Sequence, residues 1–139
     1  MEKVYLDSDV ILDLLTRREP FYHPAALLFS MIERGEFQAY ASPLIFANLF
    51  YLLRKATSRA KAVETLKKLM QLVKVAAMNE KIIDLALASG FPDFEDAVQY
   101  YTALENKIGC LITRNKKDYK GAQITICTPE EFVASKKSA

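Results

Sequence analysis

The sequence predicts an α/β protein in which a central parallel sheet is covered by helices on both faces. Short apolar runs of strand length alternate with helical segments along the whole chain, which is the pattern of strand–helix–strand units. No internal repeat, linker or low-complexity tract interrupts this alternation. The 139 residues fit one domain with a single core. We therefore expect one domain over residues 1–134 and a frayed tail over residues 135–139.

Five apolar runs have the length and composition of strands. They are rich in valine, isoleucine, leucine and alanine and are short, as expected for strands buried in a parallel sheet. The predicted strands are residues 4–6, 38–41, 73–75, 109–113 and 124–127.

The segments between these strands carry start and stop signals of helices. Pro24 stands near the start of one helix and Gly35 ends it. Ser42 is an N-cap followed by Pro43 at the first helical position. The helix over residues 43–55 is apolar nearly all round, so we expect it to be largely buried. Further caps are predicted at Ser58, Asn79 and Asp93, and a last helix over residues 129–134.

Composition and cysteine usage exclude several classes of protein. The net charge of +2 neither requires nor excludes a nucleic-acid partner. The first 15 residues are interrupted by three aspartates, so they form a strand and a helix rather than a signal peptide. No apolar run approaches the roughly 20 residues of a membrane span. Cys110 and Cys127 give neither a disulfide framework nor a zinc spacing, and we interpret them as buried reduced thiols of a cytoplasmic protein.

Acidic side chains occur where predicted strands meet predicted helices. Asp7 directly follows the first strand, Asp93 and Asp96 open a helix, and Asp118 follows the strand at residues 109–113 by a short turn. Ligands of open parallel sheets bind beyond the carboxyl ends of the strands. Hard cations such as Mg²⁺ and Mn²⁺ prefer several oxygen ligands. These acids therefore predict a pocket for a divalent cation, which would activate water and neutralise charge on a phosphodiester.

Each acid also has a structural explanation. Asp7 would cap the helix that follows it, and Asp93 with Asp96 would form an N-cap and its third helical position. Asp118 would stabilise a turn. Taken singly, each structural explanation is favoured, because capping acids are common. Only the joint placement of the acids at one edge of the sheet favours a functional site.

Three segments, LDSDVILDLL, DFEDAVQYYTA and LITRNKKDY, carry a resemblance that extends to REPFYHPA and the closing TPEEF. In their order and spacing the chain resembles the PIN-domain family, and within it the small prokaryotic VapC-type toxins of toxin–antitoxin pairs. The resemblance implies a three-layer α/β/α fold and cleavage of RNA with Mg²⁺ or Mn²⁺. It also implies an antitoxin partner and a homodimer.

The resemblance assigns roles to individual residues. Asp7 and Asp96 match the family's metal ligands, and Asp118 lies in the segment that holds its last acid. Asn48 stands where the family usually has Glu, and Asn115 stands where an acid often follows Thr–Arg. Both amides could assist through the carbonyl oxygen or by orienting water, although they bring no negative charge. Support is also expected from Asp9, Asp93 and Thr113, the last as a hydrogen-bond donor to a ligating acid.

The segment that follows the strand at residues 109–113 is basic. Arg114, Lys116 and Lys117 are predicted to bind RNA phosphates at the rim of the pocket. The alternative for the lysines is a solvated turn. Arg114 is the strongest of the three predictions because it immediately follows the strand.

Two other functions remain open at this stage. The amides at positions 48 and 115 favour a PIN-like module that binds RNA or a protein partner without cutting. The segment LDSDV also resembles the nucleophile loop of a haloacid dehalogenase-type phosphatase. That family needs a downstream lysine and paired acids after a later strand, and TRNKKDY fits this requirement poorly.

Overall fold

The computed structural model describes residues 1–137 and contains a five-stranded parallel sheet with the strand order β3-β2-β1-β4-β5. The strands are β1 (Lys3–Leu6), β2 (Gln38–Ala41), β3 (Val73–Val75), β4 (Cys110–Ile112) and β5 (Thr125–Cys127). The helices are α1 (Ser8–Leu15), α2 (Tyr22–Glu33), α3 (Pro43–Ala56), α4 (Arg59–Leu69), α5 (Glu80–Ala88), α6 (Phe94–Glu105) and α7 (Pro129–Lys137), with a 3₁₀ helix at Lys116–Tyr119. The prediction of an α/β fold with a central parallel sheet is confirmed.

The central strand β1 lies at the middle of the hydrophobic core. Its residues Val4, Tyr5 and Leu6 are fully buried. β1 pairs with β2 on one side and with β4 on the other, and all four strand pairs of the sheet are parallel. Every carboxyl end of a strand therefore lies at the same edge of the sheet, which is where Asp7 and Thr113 emerge.

The helix caps follow the predictions closely. The side chains of Ser42, Ser58 and Asn79 each accept a hydrogen bond from a backbone N–H in the first turn of the following helix. These bonds satisfy donors that a helix start otherwise leaves unpaired. Gly35 ends the second helical segment with φ +74°, a conformation that favours glycine.

The expectation that the third helix is largely buried is wrong. Within α3 only Ile45, Leu49 and Leu53 are buried, whereas Tyr51 and Leu52 are 62% and 44% exposed. The buried residues recur every four positions, so α3 presents one narrow stripe to the core. Leu44 and Phe46 pack partly against the core, whereas Tyr51 and Leu52 face outward, which composition alone could not show.

The last helix is longer than predicted. α7 continues to Lys137, three residues beyond the expected end at residue 134. The rest of the predicted tail, residues 138–139, lies outside the described residues. Over residues 1–137, no helix combines the length and the apolar character that crossing a bilayer requires.

Candidate active site

Asp7 is the centre of a hydrogen-bond network that joins three segments at the carboxyl edge of the sheet. Its Oδ2 accepts bonds from Thr113 Oγ1 at 3.0 Å and from Tyr119 Oη at 3.1 Å. Its Oδ1 accepts from the backbone N–H of Ser8 at 2.7 Å, which caps α1. Burial raises the pKa of Asp7 and the charge of Asp118 adds to this, while the three hydrogen bonds oppose the shift. The carboxylate of Asp7 is therefore held in one orientation.

Asp9 is fixed by the segment that follows β4. Its Oδ2 accepts hydrogen bonds from the backbone N–H of Arg114 at 3.2 Å and from Asn115 Nδ2 at 3.3 Å. Its Oδ1 is buried and has no hydrogen-bond partner among the described residues. Burial, with the charge of Asp7 second, raises the pKa of Asp9 to about 6. Asn115 thus orients Asp9 through its amide nitrogen.

The start of α6 brings three acids to the same place. Asp93 caps the helix by accepting a bond from the backbone N–H of Asp96 at 2.9 Å, so its predicted structural role is confirmed. Glu95 accepts a bond from Asn48 Nδ2 at 3.3 Å, and this bond links α3 to α6. The pKa of Glu95 is raised by partial burial and then by the charges of Asp93 and Asp7.

Asp96 is the most strongly perturbed of these acids. Its pKa is raised to about 7, first by partial burial and then by the negative charges of Asp93, Asp7, Asp118 and Glu95. Across residues 1–137 its carboxylate takes part in no hydrogen bond or ion pair. Acids predicted from distant parts of the sequence therefore lie close enough for their negative charges to raise the pKa of Asp96.

A cleft of about 530 Å³ opens beside Asp96. The part of its lining that carries charge is Asp93, Asp96, Lys117, Asp118 and Lys120. Its remaining wall comes from the turn at residues 90–92, from Tyr101 and from Gly121. The cleft thus combines three acids with two lysines, a mixture of charges that suits a phosphate group beside a cation.

The family model of the PIN domain matches residues 3–117. This range includes every acid described above except Asp118, which directly follows it. The chain belongs to the PIN-domain family. This membership leaves the dehalogenase-type interpretation of LDSDV without support. A search of curated proteins found no match.

Solved structures share the PIN fold at low sequence identity. VapBC-1 from nontypeable Haemophilus influenzae is 16% identical, covers 92% of this chain and 98% of its own, and superposes with a TM-score of 0.69. VapBC from Salmonella typhimurium, bound to DNA, is 16% identical over 91% and 97% with a TM-score of 0.63. VapBC2 from Rickettsia felis, bound to a fragment of promoter DNA, is 14% identical over 90% and 96% with a TM-score of 0.61. At these identities the likeness establishes the fold.

The acids of this PIN domain meet part of what a divalent cation needs. Over residues 1–137, no group of three or more His, Cys, Asp or Glu side chains is arranged so that it could hold a metal ion. Mg²⁺ commonly binds through one or two carboxylates, several waters and the substrate phosphate. The unpaired carboxylate of Asp96, beside Asp7 and Asp118, provides oxygen ligands and negative charge for this mode of binding.

The three basic residues after β4 differ in whether their charges are already paired with an acid. The Nε of Arg114 lies 2.8 Å from Oδ2 of the buried Asp13, and the guanidinium lies 3.9 Å from the ring centroid of Phe21. Lys116 pairs with Glu131 at 3.0 Å. Lys117 lines the cleft and has no ion pair among the described residues. Lys117 is therefore the one of the three predicted RNA-binding residues whose charge faces the acids without a partner.

Three contributors to the site went unassigned in the sequence. Tyr119 received no predicted role, and its bond to Asp7 depends on the 3₁₀ turn, which no spacing rule predicts. Glu95 was visible as an acid near Asp96, but its bond to Asn48 depends on how α3 meets α6. Asp13 lies six residues after Asp7 on α1, where helical periodicity could have placed it inward beside Val10.

Proposed function

We propose that this PIN domain is a divalent-metal-dependent endoribonuclease, the toxin component of a toxin–antitoxin pair. The observation that carries the proposal is the position of Asp96, which lines one cleft with Asp93 and Asp118 and lies within the negative charge of Asp7, the acid that follows β1. An acid with a structural role normally caps a helix or forms an ion pair through its carboxylate. Within residues 1–137, the carboxylate of Asp96 does neither. The family resemblance makes RNA the substrate and Mg²⁺ or Mn²⁺ the cofactor.

In this proposal Asp7 and Asp96 hold the cation and Asp118 completes the acidic set. A bound divalent cation supplies Lewis-acid chemistry: it acidifies water and neutralises charge that develops on the phosphodiester. Thr113 and Tyr119 hold the Asp7 carboxylate in its orientation through hydrogen bonds to Oδ2. Such partners are as important for a metal site as the ligands themselves.

Asn48 and Asn115 act as positioning residues. Each donates its side-chain N–H to a neighbouring acid, Asn48 to Glu95 and Asn115 to Asp9. Glu95 and Asp9, oriented in this way, bring negative charge to the site. They would compensate for the two amides, which stand at positions where the family usually has acids. Glu95 in particular lies beside Asp96 on the same helix and electrostatically couples to Asp7.

RNA would enter along the cleft that Asp96 and Asp118 share with Lys117 and Lys120. Lysines that contact phosphates hold a nucleic-acid strand in register without reading its sequence. Lys116 is paired with the exposed Glu131. It can contact a phosphate only when this ion pair opens, and opening a surface ion pair costs little free energy. The main role of Arg114 is structural, because its ion pair with Asp13 holds the segment after β4 against α1.

The proposal includes an antitoxin partner and a homodimer. Similar folds are solved as VapBC complexes, two of them on DNA. This chain exposes large apolar side chains that a partner would cover, namely Tyr51 and Leu52 on α3, Leu87 on α5 and Phe94 on α6. We place the protein in the cytoplasm, where such pairs act on cellular RNA.

Cleavage of a labelled RNA pool tests the function. The purified chain should cut RNA with Mn²⁺ or Mg²⁺, should lose this activity with excess chelator, and should regain it when the cation is restored. Asp96→Asn should be inactive under the same conditions. Equal cleavage by the wild type and Asp96→Asn would remove the catalytic assignment.

A second candidate function is a PIN-like module that binds RNA or a protein without cutting. The amides of Asn48 and Asn115 favour it, because they lower the number of carboxylates available to a cation. Calorimetric titration with Mn²⁺ separates the two functions. Binding that is lost in Asp96→Asn supports the nuclease, whereas RNA binding without any Mn²⁺ binding supports the module.

A further inference from the structure

The two cysteines of the chain meet on neighbouring strands. Cys110 lies at the start of β4 and Cys127 at the end of β5, and their sulfur atoms are 3.6 Å apart. Both line a cleft of about 500 Å³ that shares no lining residue with the acidic cleft. Cys110 is buried and Cys127 is partly exposed. A separation of 17 positions in the sequence gave no sign of this pair.

The register of the two strands disfavours a disulfide. Cys110 is directly opposite Thr125, and Cys127 is opposite Ile112, so the two cysteines are offset by two residues. In a parallel sheet this offset separates the two Cα atoms by about 8 Å. A disulfide requires a Cα separation of about 4.4–6.8 Å. The sulfurs approach one another because the side chains lean together, while the backbone is too far apart to close the bond.

The same separation suits two thiolates that share a cation. With metal–sulfur distances of about 2.3 Å and tetrahedral geometry, two thiolates on one Zn²⁺ lie ~3.8 Å apart. The observed 3.6 Å requires only a small adjustment. The hydrogen bond from Cys110 lowers the pKa of Cys127, and the charge of Lys116 also lowers it. The same hydrogen bond and then burial raise the pKa of Cys110, so Cys127 ionises first and Cys110 gives up its proton only when a cation displaces it. Soft thiolate ligands select soft cations over Mg²⁺.

We propose that Cys110 and Cys127 form a two-thiolate site for a soft d¹⁰ cation such as Zn²⁺ or Cd²⁺. Binding would release two thiol protons to solvent for each cation bound. No third Cys, His or carboxylate joins the pair in a metal-holding group within residues 1–137. The remaining coordination positions therefore go to water or to an exogenous thiol that enters through the open cleft. The bound cation would tie β4 to β5 just before Thr113, whose backbone N–H bonds to the carbonyl of Cys127 at 3.0 Å.

Titration of the reduced full-length chain with Cd²⁺ in thiol-free buffer tests this site. Cd²⁺–thiolate coordination produces an ultraviolet charge-transfer band, which should saturate at one cation per chain. Loss of an outer-shell partner weakens metal sites by about 10–100-fold, and loss of a ligand costs at least as much. Cys110→Ser and Cys127→Ser should each weaken Cd²⁺ binding by about tenfold or more. Asp96→Asn should retain the band, which separates this site from the acidic one.

A band that persists unchanged in both serine variants would overturn the proposal, as would the absence of a band in the wild type. If the serine variants fail to fold, the alkylation rate of the wild-type chain tests the site instead. Saturating Cd²⁺ should slow the modification of Cys127 by iodoacetamide by about tenfold or more, and an unchanged rate would contradict the site. Quantitative formation of an intramolecular disulfide by a mild oxidant, seen as the loss of two hydrogens in the intact mass, would contradict the register argument.

Discussion

Thr113 donates a hydrogen bond of 3.0 Å to Oδ2 of Asp7, and this bond joins the carboxyl end of β4 to that of β1. Tyr119 donates to the same oxygen from the 3₁₀ helix. The acid that the family resemblance makes a metal ligand is thus held by two hydroxyl groups that lie more than 100 residues away in sequence. The parallel pairing of β1 with β4 is what brings them together.

Asp96→Asn should reduce RNA cleavage by about 100-fold or more. The substitution removes one of the two carboxylates that we propose hold the cation, and metal ions contribute several kcal/mol of charge stabilisation to the transition state. The measurement is the initial rate of RNA cleavage with saturating Mn²⁺. The matched control is Asp84→Asn, because Asp84 is an exposed acid on α5 that does not perturb the pKa of Asp96. A loss of equal size in the control would show that the effect is not local.

Tyr119→Phe should weaken Mn²⁺ binding by about tenfold while leaving the fold intact. The change removes one hydrogen bond to Asp7 and nothing else, and outer-shell bonds tune metal affinity by about 10–100-fold. The measurement is calorimetric titration. Tyr100→Phe is the control, because the hydroxyl of Tyr100 bonds to the backbone N–H of Gln123 and not to an acid. Equal Mn²⁺ affinity in wild type and Tyr119→Phe would remove its positioning role.

The raised pKa of Asp96 should appear in the pH dependence of stability. Its pKa is about 7 in the folded chain and about 3.9 in the unfolded chain, so between these values the folded state binds more protons. The free energy of unfolding therefore falls as pH rises from about 4 to 7, and the full loss is present above pH 7. In chelator, Asp96→Asn should be more stable than wild type at pH 8 by about 1 kcal/mol after allowance for solvent screening, with no difference at pH 4. Thermal unfolding of both proteins between pH 4 and pH 8 measures this difference in stability. A difference that does not vary with pH would show that the ionisation of Asp96 is not its cause.

Asn48→Glu should increase Mn²⁺ affinity by about tenfold and lower metal-free stability by about 1 kcal/mol. The new carboxylate would lie beside Glu95, which now accepts a bond from the Asn48 amide at 3.3 Å, so it adds charge for a cation and repulsion without one. Calorimetry and thermal unfolding measure the two effects. Asn48→Gln serves as the control, since it preserves the amide and should leave both quantities near those of wild type.

Arg114→Ala should destabilise the fold rather than only weaken RNA binding. Asp13 is 1% exposed, and removal of Arg114 would leave this buried charge with only the longer 3.9 Å contact to Nε of the exposed Arg18. Breaking a buried pair costs about 3–5 kcal/mol, and we expect a value near the lower end because Arg114 is partly exposed. Denaturant unfolding measures this loss of stability.

Lys117→Ala should instead leave the free energy of unfolding unchanged and weaken RNA binding. The affinity for RNA should also depend less on salt concentration, because one phosphate contact is lost.

Local signals in the sequence were sufficient for the fold. The caps at Ser42 and Asn79 and the short apolar strands fixed the element order, because these features depend on neighbouring residues. The burial of α3 could not be predicted, because an apolar helix surface gives no sign of whether a neighbour covers it. Tyr51 lies on its exposed side.

The candidate site was only partly predictable for a related reason. Strand ends and helix starts predicted where Asp7 and Asp96 lie, since parallel strands share one carboxyl edge. The bonds of Tyr119 to Asp7 and of Asn48 to Glu95 depend on the relative placement of separate elements. The Cys110–Cys127 pair was missed for the same reason, because it is set by the register of β4 and β5.

Anomalous diffraction from crystals of the wild-type chain soaked in Mn²⁺ tests the central claim most directly. We expect a manganese peak at the mouth of the acidic cleft, within coordination distance of carboxylate oxygens of both Asp7 and Asp96. The absence of a peak there, or a peak bound only to acids elsewhere on the chain, would contradict it.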